Sequence, residues 1–121
     1  MMITRFEDME AWKGARKLAQ AVSHETRTRS RFPDYDLVRQ IRRCAISVMA
    51  NIVEGFDAGT KGEFIRFLRM AFRSGSELQS HLYVALDESY LDTQTFDRLY
   101  GQVRSVKGMI GGFIRYLRTR S

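Results

Sequence analysis

A chain of 121 residues fits one domain, and a 44% hydrophobic content is enough for a core without staples. The single cysteine excludes an internal disulfide. No apolar run approaches the roughly 20 residues of a membrane span. The opening MMITRFEDMEAW has neither the basic start nor the apolar stretch of a signal peptide, so a cytoplasmic protein without membrane contact is expected. The formal net charge is +6, and all 14 acidic residues lie at or before Asp97. Arg98, Arg104, Lys107, Arg115, Arg118 and Arg120 follow with no acid among them. That asymmetry points to an anionic partner without identifying one.

One proline, Pro33, and apolar residues at helical spacing predict an all-α chain with helices over about 7–28, 35–55, 60–90 and 93–119. In the first helix Glu7, Asp8 and Glu10 crowd the initial turn, where the helix dipole favours negative charge. Met9, Trp12, Ala15, Ala19 and Val22 form its stripe, widened by Ala11 and Leu18. Trp12 reads as core filling, with ligand stacking as the alternative. The polar segment RTRSRFPDYD follows; Pro33 stops the helix, and Asp34 or Asp36 caps the next.

The second helix carries two stripes. Val38, Ile41, Cys44, Ala45, Val48, Met49 and Ile52 fall on one side at about 100° per residue. Gln40, Ser47, Asn51 and Glu54, with Arg43 near the edge, form a polar line beside them. Small amides and hydroxyls flanking an apolar stripe predict a seam whose polar groups need partners. Gly55 is expected to close this helix as a C-cap.

Thr60 and Glu63 have the spacing of a capping box. The third helix then presents Phe64, Phe67, Leu68, Ala71, Phe72, Leu78, Leu82, Ala85 and Leu86 on an inner face. Its middle, Ser74-Gly75-Ser76, permits close approach by a neighbouring helix or chain. Arg66, Arg69 and Arg73 line the outer face, and Arg73 is expected to meet Glu77 at i, i+4. Asp92 or Thr93 caps the fourth helix. Phe96, Leu99, Val103, Val106, Ile110, Phe113, Ile114 and Leu117 make its apolar arc, with Arg104, Lys107, Arg115 and Arg118 on the adjoining one. Gly101, Gly108 and Gly112 suggest close backbone contact, with a mobile terminal helix as the alternative. Short connections between four amphipathic helices predict an antiparallel up-down-up-down bundle.

The chain offers little for catalysis. Neither His24 nor His81 begins a metal-ligand spacing, and the Glu-x-x-His pairs of di-iron bundles are absent. No arginine precedes a histidine with four to six residues between them, the Arg-x(4–6)-His spacing of some helical RNases. Cys44 lies on the core stripe with no histidine near it in sequence. No enzyme activity, metal or cofactor is therefore assigned. Asn51 and Glu54 stay open between ligand binding and structural hydrogen bonds to another helix or subunit. The basic strip of the fourth helix is either a solvated face or a phosphate contact; arginine's predominance over lysine favours the latter.

From Asn51 to Leu78, the stretch NIVEGFDAGTKGEFIRFLRMAFRSGSEL resembles the four-helix-bundle proteins encoded in 23S rRNA intervening sequences. The likeness rests on Asn51–Gly55, Gly62–Leu68 and Ser74–Leu78. Gln40-Ile-Arg-Arg and the segment Phe6 to Trp12 also fit, so it covers nearly the whole chain. The loop FDAGTKG is less basic than the family's usual glycine-arginine-rich version, which weakens the transfer of a loop-based nucleic-acid contact. The resemblance implies a small cytosolic bacterial protein assembling as a ring, typically a homopentamer. It also implies kinship with the accessory protein of diversity-generating retroelements, which works with a reverse transcriptase and nucleic acid.

The expectation is thus a non-enzymatic homo-oligomer that binds RNA or DNA phosphates. Arg104, Lys107, Arg115 and Arg118 are the first candidates, and Arg39, Arg42 and Arg43 the second. Gln40, Ser47, Asn51, Glu54, Arg73 and Glu77 are candidate seam or subunit contacts. The rival reading is a protein-interaction scaffold.

Overall fold

Side-chain caps decide where three of the helices begin. Asp34 accepts from the Leu37 N–H at 3.0 Å, Asp92 from the Thr95 N–H at 2.7 Å, and the Thr60 hydroxyl from the Glu63 N–H at 3.2 Å. Each satisfies a backbone donor that a helix start leaves without an intrahelical partner. The Glu63 carboxylate accepts from Arg66 at 2.6 Å, so only the Thr60 half of the expected capping box forms.

The computed structural model describes residues 3–28 and 30–120; Arg29, within the polar connection read from the sequence, lies outside them. A 3-10 turn at Phe6–Asp8 precedes α1 (Glu10–Glu25), α2 (Tyr35–Asp57), α3 (Lys61–Asp87) and α4 (Thr93–Arg118). No strand occurs among the described residues. Helices α1 and α3 each pack against both α2 and α4. Short connections between successive helices reverse the chain, giving the up-down-up-down order.

Three local expectations are corrected. The first helix does not run through residue 7: Met9 is extended, with φ −75° and ψ 128°, and buries its side chain, so Glu7 and Asp8 belong to the separate 3-10 turn. Gly55 does not end α2, which continues to Asp57. It is buried against Phe64 and Phe67 of α3, and the left-handed glycine is Gly59, with φ 91°. Arg73 forms no ion pair with Glu77, which is met instead by Arg43 and His81, each at 3.5 Å. At the end of α3, Ser89 takes φ 62°. There the Ser89 N–H donates to Leu86 O at 3.0 Å and the Tyr90 N–H to Ala85 O at 2.9 Å, a Schellman closure.

The core follows the stripes closely. Ala15, Leu18 and Val22 of α1, Ile41, Cys44, Val48 and Ile52 of α2, Leu68, Leu78 and Leu82 of α3, and Leu99, Val103 and Ile110 of α4 are buried. Phe32 and Leu91, from the two connections at one end of the bundle, plug that end, where the Phe32 and Tyr90 rings meet at 5.3 Å. Phe72 departs from its predicted inner face and is 38% exposed. Trp12 sits at the core's margin, packed edge-on against Phe6 at 5.1 Å. Glu25 ties α1 to the connection and to α4 by accepting from Arg31 at 3.2 Å and Arg98 at 2.8 Å.

A Cβ at Gly55 would stand 2.9 Å from a Phe64 ring carbon and 3.1 Å from the Phe64 carbonyl oxygen. Because backbone must move, Gly55→Ala should destabilise by about 1–3 kcal/mol. Gly101, with nothing within 4 Å, should show the opposite sign on Gly101→Ala, a gain of up to about 1 kcal/mol. Chemical denaturation of the two variants reads both signs. The Thr95 backbone N–H holds the Asp92 carboxyl below its ordinary range. The cap therefore stabilises above the unfolded-state value and fades as pH falls through the lower folded-state one. Asp92→Asn should flatten that acid-side loss in stability measured against pH.

Candidate nucleic-acid interface

The approach of α3 to α4 depends on small residues. Gly75 is buried, and a Cβ there would lie 3.0 Å from Lys107 Cγ and 3.5 Å from a Val103 methyl. On the other side of α3, the Ser74 hydroxyl lies 2.9 Å from that of Ser47 on α2. The close neighbours allowed by Ser74 and Gly75 are thus helices of the same chain.

With the axes this close, the outer arcs of α3 and α4 converge on one groove. It consists of two adjoining hollows of about 310 and 410 Å³ that share Phe72, Gly111 and Arg115. Arg69 and Arg73 come from α3; Arg104, Lys107, Arg115 and Arg118 come from α4. No acidic side chain lines either hollow. None of these six cations forms an ion pair among the described residues, whereas Arg5, Arg31, Arg39, Arg43, Arg66 and Arg98 all do.

The groove has apolar as well as cationic walls. The Lys107 ammonium donates to Gln79 Oε1 at 2.9 Å and lies 4.6 Å from the centre of the Phe72 ring. The Arg104 guanidinium lies 5.5 Å from the Tyr100 ring centre. These contacts hold the charges in place without neutralising them. Gly108 and Gly111 keep the floor low, and the Arg115 guanidinium lies over Gly111 and Gly112. Of the glycines expected to meet another backbone, Gly101 and Gly108 have nothing within 4 Å of where a Cβ would stand among the described residues. The helix carrying them is continuous to Arg118. An exposed groove with unpaired guanidinium forks, an aromatic wall and no carboxylate suits phosphate oxygens and stacked bases.

The other candidates lie elsewhere. Arg39 pairs with Asp36, and Arg43 pairs with Gln40 and Glu77. Arg42 donates to the buried Thr26 hydroxyl at 2.9 Å and to the Ser23 carbonyl at 3.4 Å, closing the end of α1. That second trio does not join the groove. Of the polar seam, Ser47 and Asn51 are half-buried and hydrogen-bonded to each other. Gln40 serves Arg43 on its own helix. Glu54 is at the edge of an apolar hollow lined by Phe6, Trp12, Ile46, Met49, Ala50 and Val53. A hollow of about 600 Å³ along α1 mixes Arg5, Lys13, Arg16 and Lys17 with Glu7 and Glu10, so its charge partly cancels. Sequence reasoning missed Arg69, Arg73 and Phe72 as groove residues, although the Arg69–Arg73 spacing of one helical turn was visible.

Cys44 is not placed as a nucleophile. Burial pushes its thiol up to about 11, and the neighbouring Glu77 charge adds to the shift, so little thiolate forms at neutral pH.

Fold and groove together define a helical bundle with a preformed cationic face. The chain belongs to the family of 23S rRNA-intervening sequence proteins, whose sequence model matches residues 7–112. Among solved structures it is similar to a protein of unknown function from the S23 ribosomal protein family of Bacteroides thetaiotaomicron. The TM-score is 0.79 and the identity 18%, over 86% of this chain and 97% of that one; at that identity the likeness speaks for the fold. No curated protein matches the sequence. No helix among the described residues is long and apolar enough to cross a membrane.

Proposed function

We propose that this protein is a non-enzymatic, cytoplasmic homo-oligomer, a ring of about five copies by family resemblance, that binds nucleic acid through the α3–α4 groove. The observation that carries the reading is the set of six cations in one groove with no acid among them. Unpaired arginines bind phosphate with little rearrangement, because no internal ion pair must first be broken. Each copy adds a charge of +6, so assembly multiplies the positive potential and favours sequence-independent binding. The resemblance to a retroelement accessory protein makes a nucleic-acid-processing enzyme such as a reverse transcriptase a consistent partner.

Support for self-assembly comes from α2. Ile46 is 59% exposed and lies in an apolar hollow with Trp12, Met49, Ala50 and Val53. Exposed apolar patches of this kind are typically covered by protein. The scaffold alternative gives that patch to a different protein. It predicts co-purification that survives high salt and no salt-sensitive retention of RNA.

Replacing Arg104 and Arg115 together by Glu should weaken binding of mixed-sequence RNA or DNA. It should also reduce the slope of log affinity against log salt by about one for each phosphate no longer neutralised. Arg39→Glu, outside the groove, should change the slope far less. An unchanged slope in the double variant would overturn the groove assignment. Analytical ultracentrifugation should give a multiple of the 14.1 kDa chain, and Ile46→Glu should shift it toward the single-chain mass.

A further inference from the structure

We infer that Cys44, Glu77 and His81 form a binding site for a divalent metal ion of the zinc class at the seam between α2 and α3. This site is independent of the groove. Helix α2 supplies Cys44 from its buried stripe; α3 supplies Glu77 and His81, one turn apart on the same face. The Ser47–Ser74 contact of 2.9 Å fixes the register that brings them together.

The geometry suits tetrahedral coordination. One ligand atom from each of the three residues lies within 4.8 Å of the others. His81 Nε2 stands 3.5 Å from Glu77 Oε2. Zinc bonds of about 2.0–2.3 Å place tetrahedral ligand atoms roughly 3.3–3.8 Å apart, so this edge already has the required length. The thiol edges, at most 4.8 Å long, close to that length with a side-chain shift of up to about 1 Å. His81 Nε2 is enclosed and has no hydrogen-bond partner among the described residues. An enclosed imidazole nitrogen ordinarily has one, and a metal ion would fill that place.

The donors also select the ion. Sulfur, imidazole nitrogen and one carboxylate favour zinc or cobalt over magnesium or calcium, which prefer oxygen ligands. A doubly charged ion is balanced by the Cys44 thiolate and the Glu77 carboxylate. On binding, sulfur forms its bond to the metal and releases the thiol proton to solvent. Side-chain exposures of 24% for His81 and 47% for Glu77 leave an entry path and a fourth position for water. One group opposes the ion. The Arg43 guanidinium lies 3.5 Å from the same Glu77 oxygen and competes for it.

Titration of the full chain with Co²⁺ tests the site. Visible absorption of tetrahedral cobalt and a sulfur-to-cobalt charge-transfer band should appear, and Zn²⁺ should displace both. Cys44→Ser should abolish the charge-transfer band. His81→Gln should weaken Co²⁺ by at least about tenfold, the lower end of what removing a merely supporting group costs. Arg43→Gln should tighten it. Circular dichroism of the metal-free variants separates loss of a ligand from loss of fold. If Cys44→Ser fails to fold, the opposite shifts of His81→Gln and Arg43→Gln decide. Absence of the charge-transfer band in the unaltered protein, its survival in folded Cys44→Ser, or unchanged affinity in His81→Gln would overturn the site.

Discussion

The close seating of α3 between α2 and α4 is the constraint on which the rest of the molecule depends. At one level of α3, Ser74 faces the Ser47 hydroxyl at 2.9 Å, and Gly75 leaves little room for a Cβ beneath Lys107. Near the start of α3, Gly55 of α2 plays the same part against Phe64 and Phe67. Interiors packed near crystal density tolerate little sliding once such contacts form. Those small residues therefore set helix separation and register together. Larger side chains at the same places would move two helices, not one.

Register in turn decides which polar groups become neighbours. Arginines on α3 and α4 occupy faces that each helix, alone, would simply present to water. Side by side, they converge on a common groove, and the glycines of α4 keep its floor open. Elsewhere on the molecule arginines meet carboxylates within 4 Å: Arg31 and Arg98 at the largely buried Glu25, and Arg66 at Glu63 in an exposed pair of the sort that adds little stability. The difference between the two sets lies in surroundings rather than residue type. The same register sets Cys44 of the core stripe beside Glu77 and His81.

Helix α2 serves three directions at once. Its apolar stripe closes the core, its hydroxyl and amide line meets α3, and Ile46, Met49 and Val53 share an outer hollow with Trp12. The polar seam read from the sequence is shared accordingly. Ser47 and Asn51 are half-buried, Gln40 stays with its own helix, and Glu54 borders the outward apolar hollow.

Much of this was legible in the residues alone, because helices are local. The 3.6-residue period marked the buried stripes, Thr60 marked one helix start, and the pairs Asp34/Asp36 and Asp92/Thr93 bracketed two more, at which Asp34 and Asp92 form the caps. The uneven charge after Asp97 marked the basic face of α4. Where local signals misled, a neighbour had overruled them. Gly55 reads as a cap but lies under Phe64, Phe72 reads as core but faces the groove, and Arg73 reads as a partner for Glu77 but stands apart from it. By itself the sequence determined the four helices, their inner faces apart from Phe72, and the family. Only the tertiary structure decided which cations share a groove and which histidine meets Cys44, since periodicity along one helix carries no information about the register of the next.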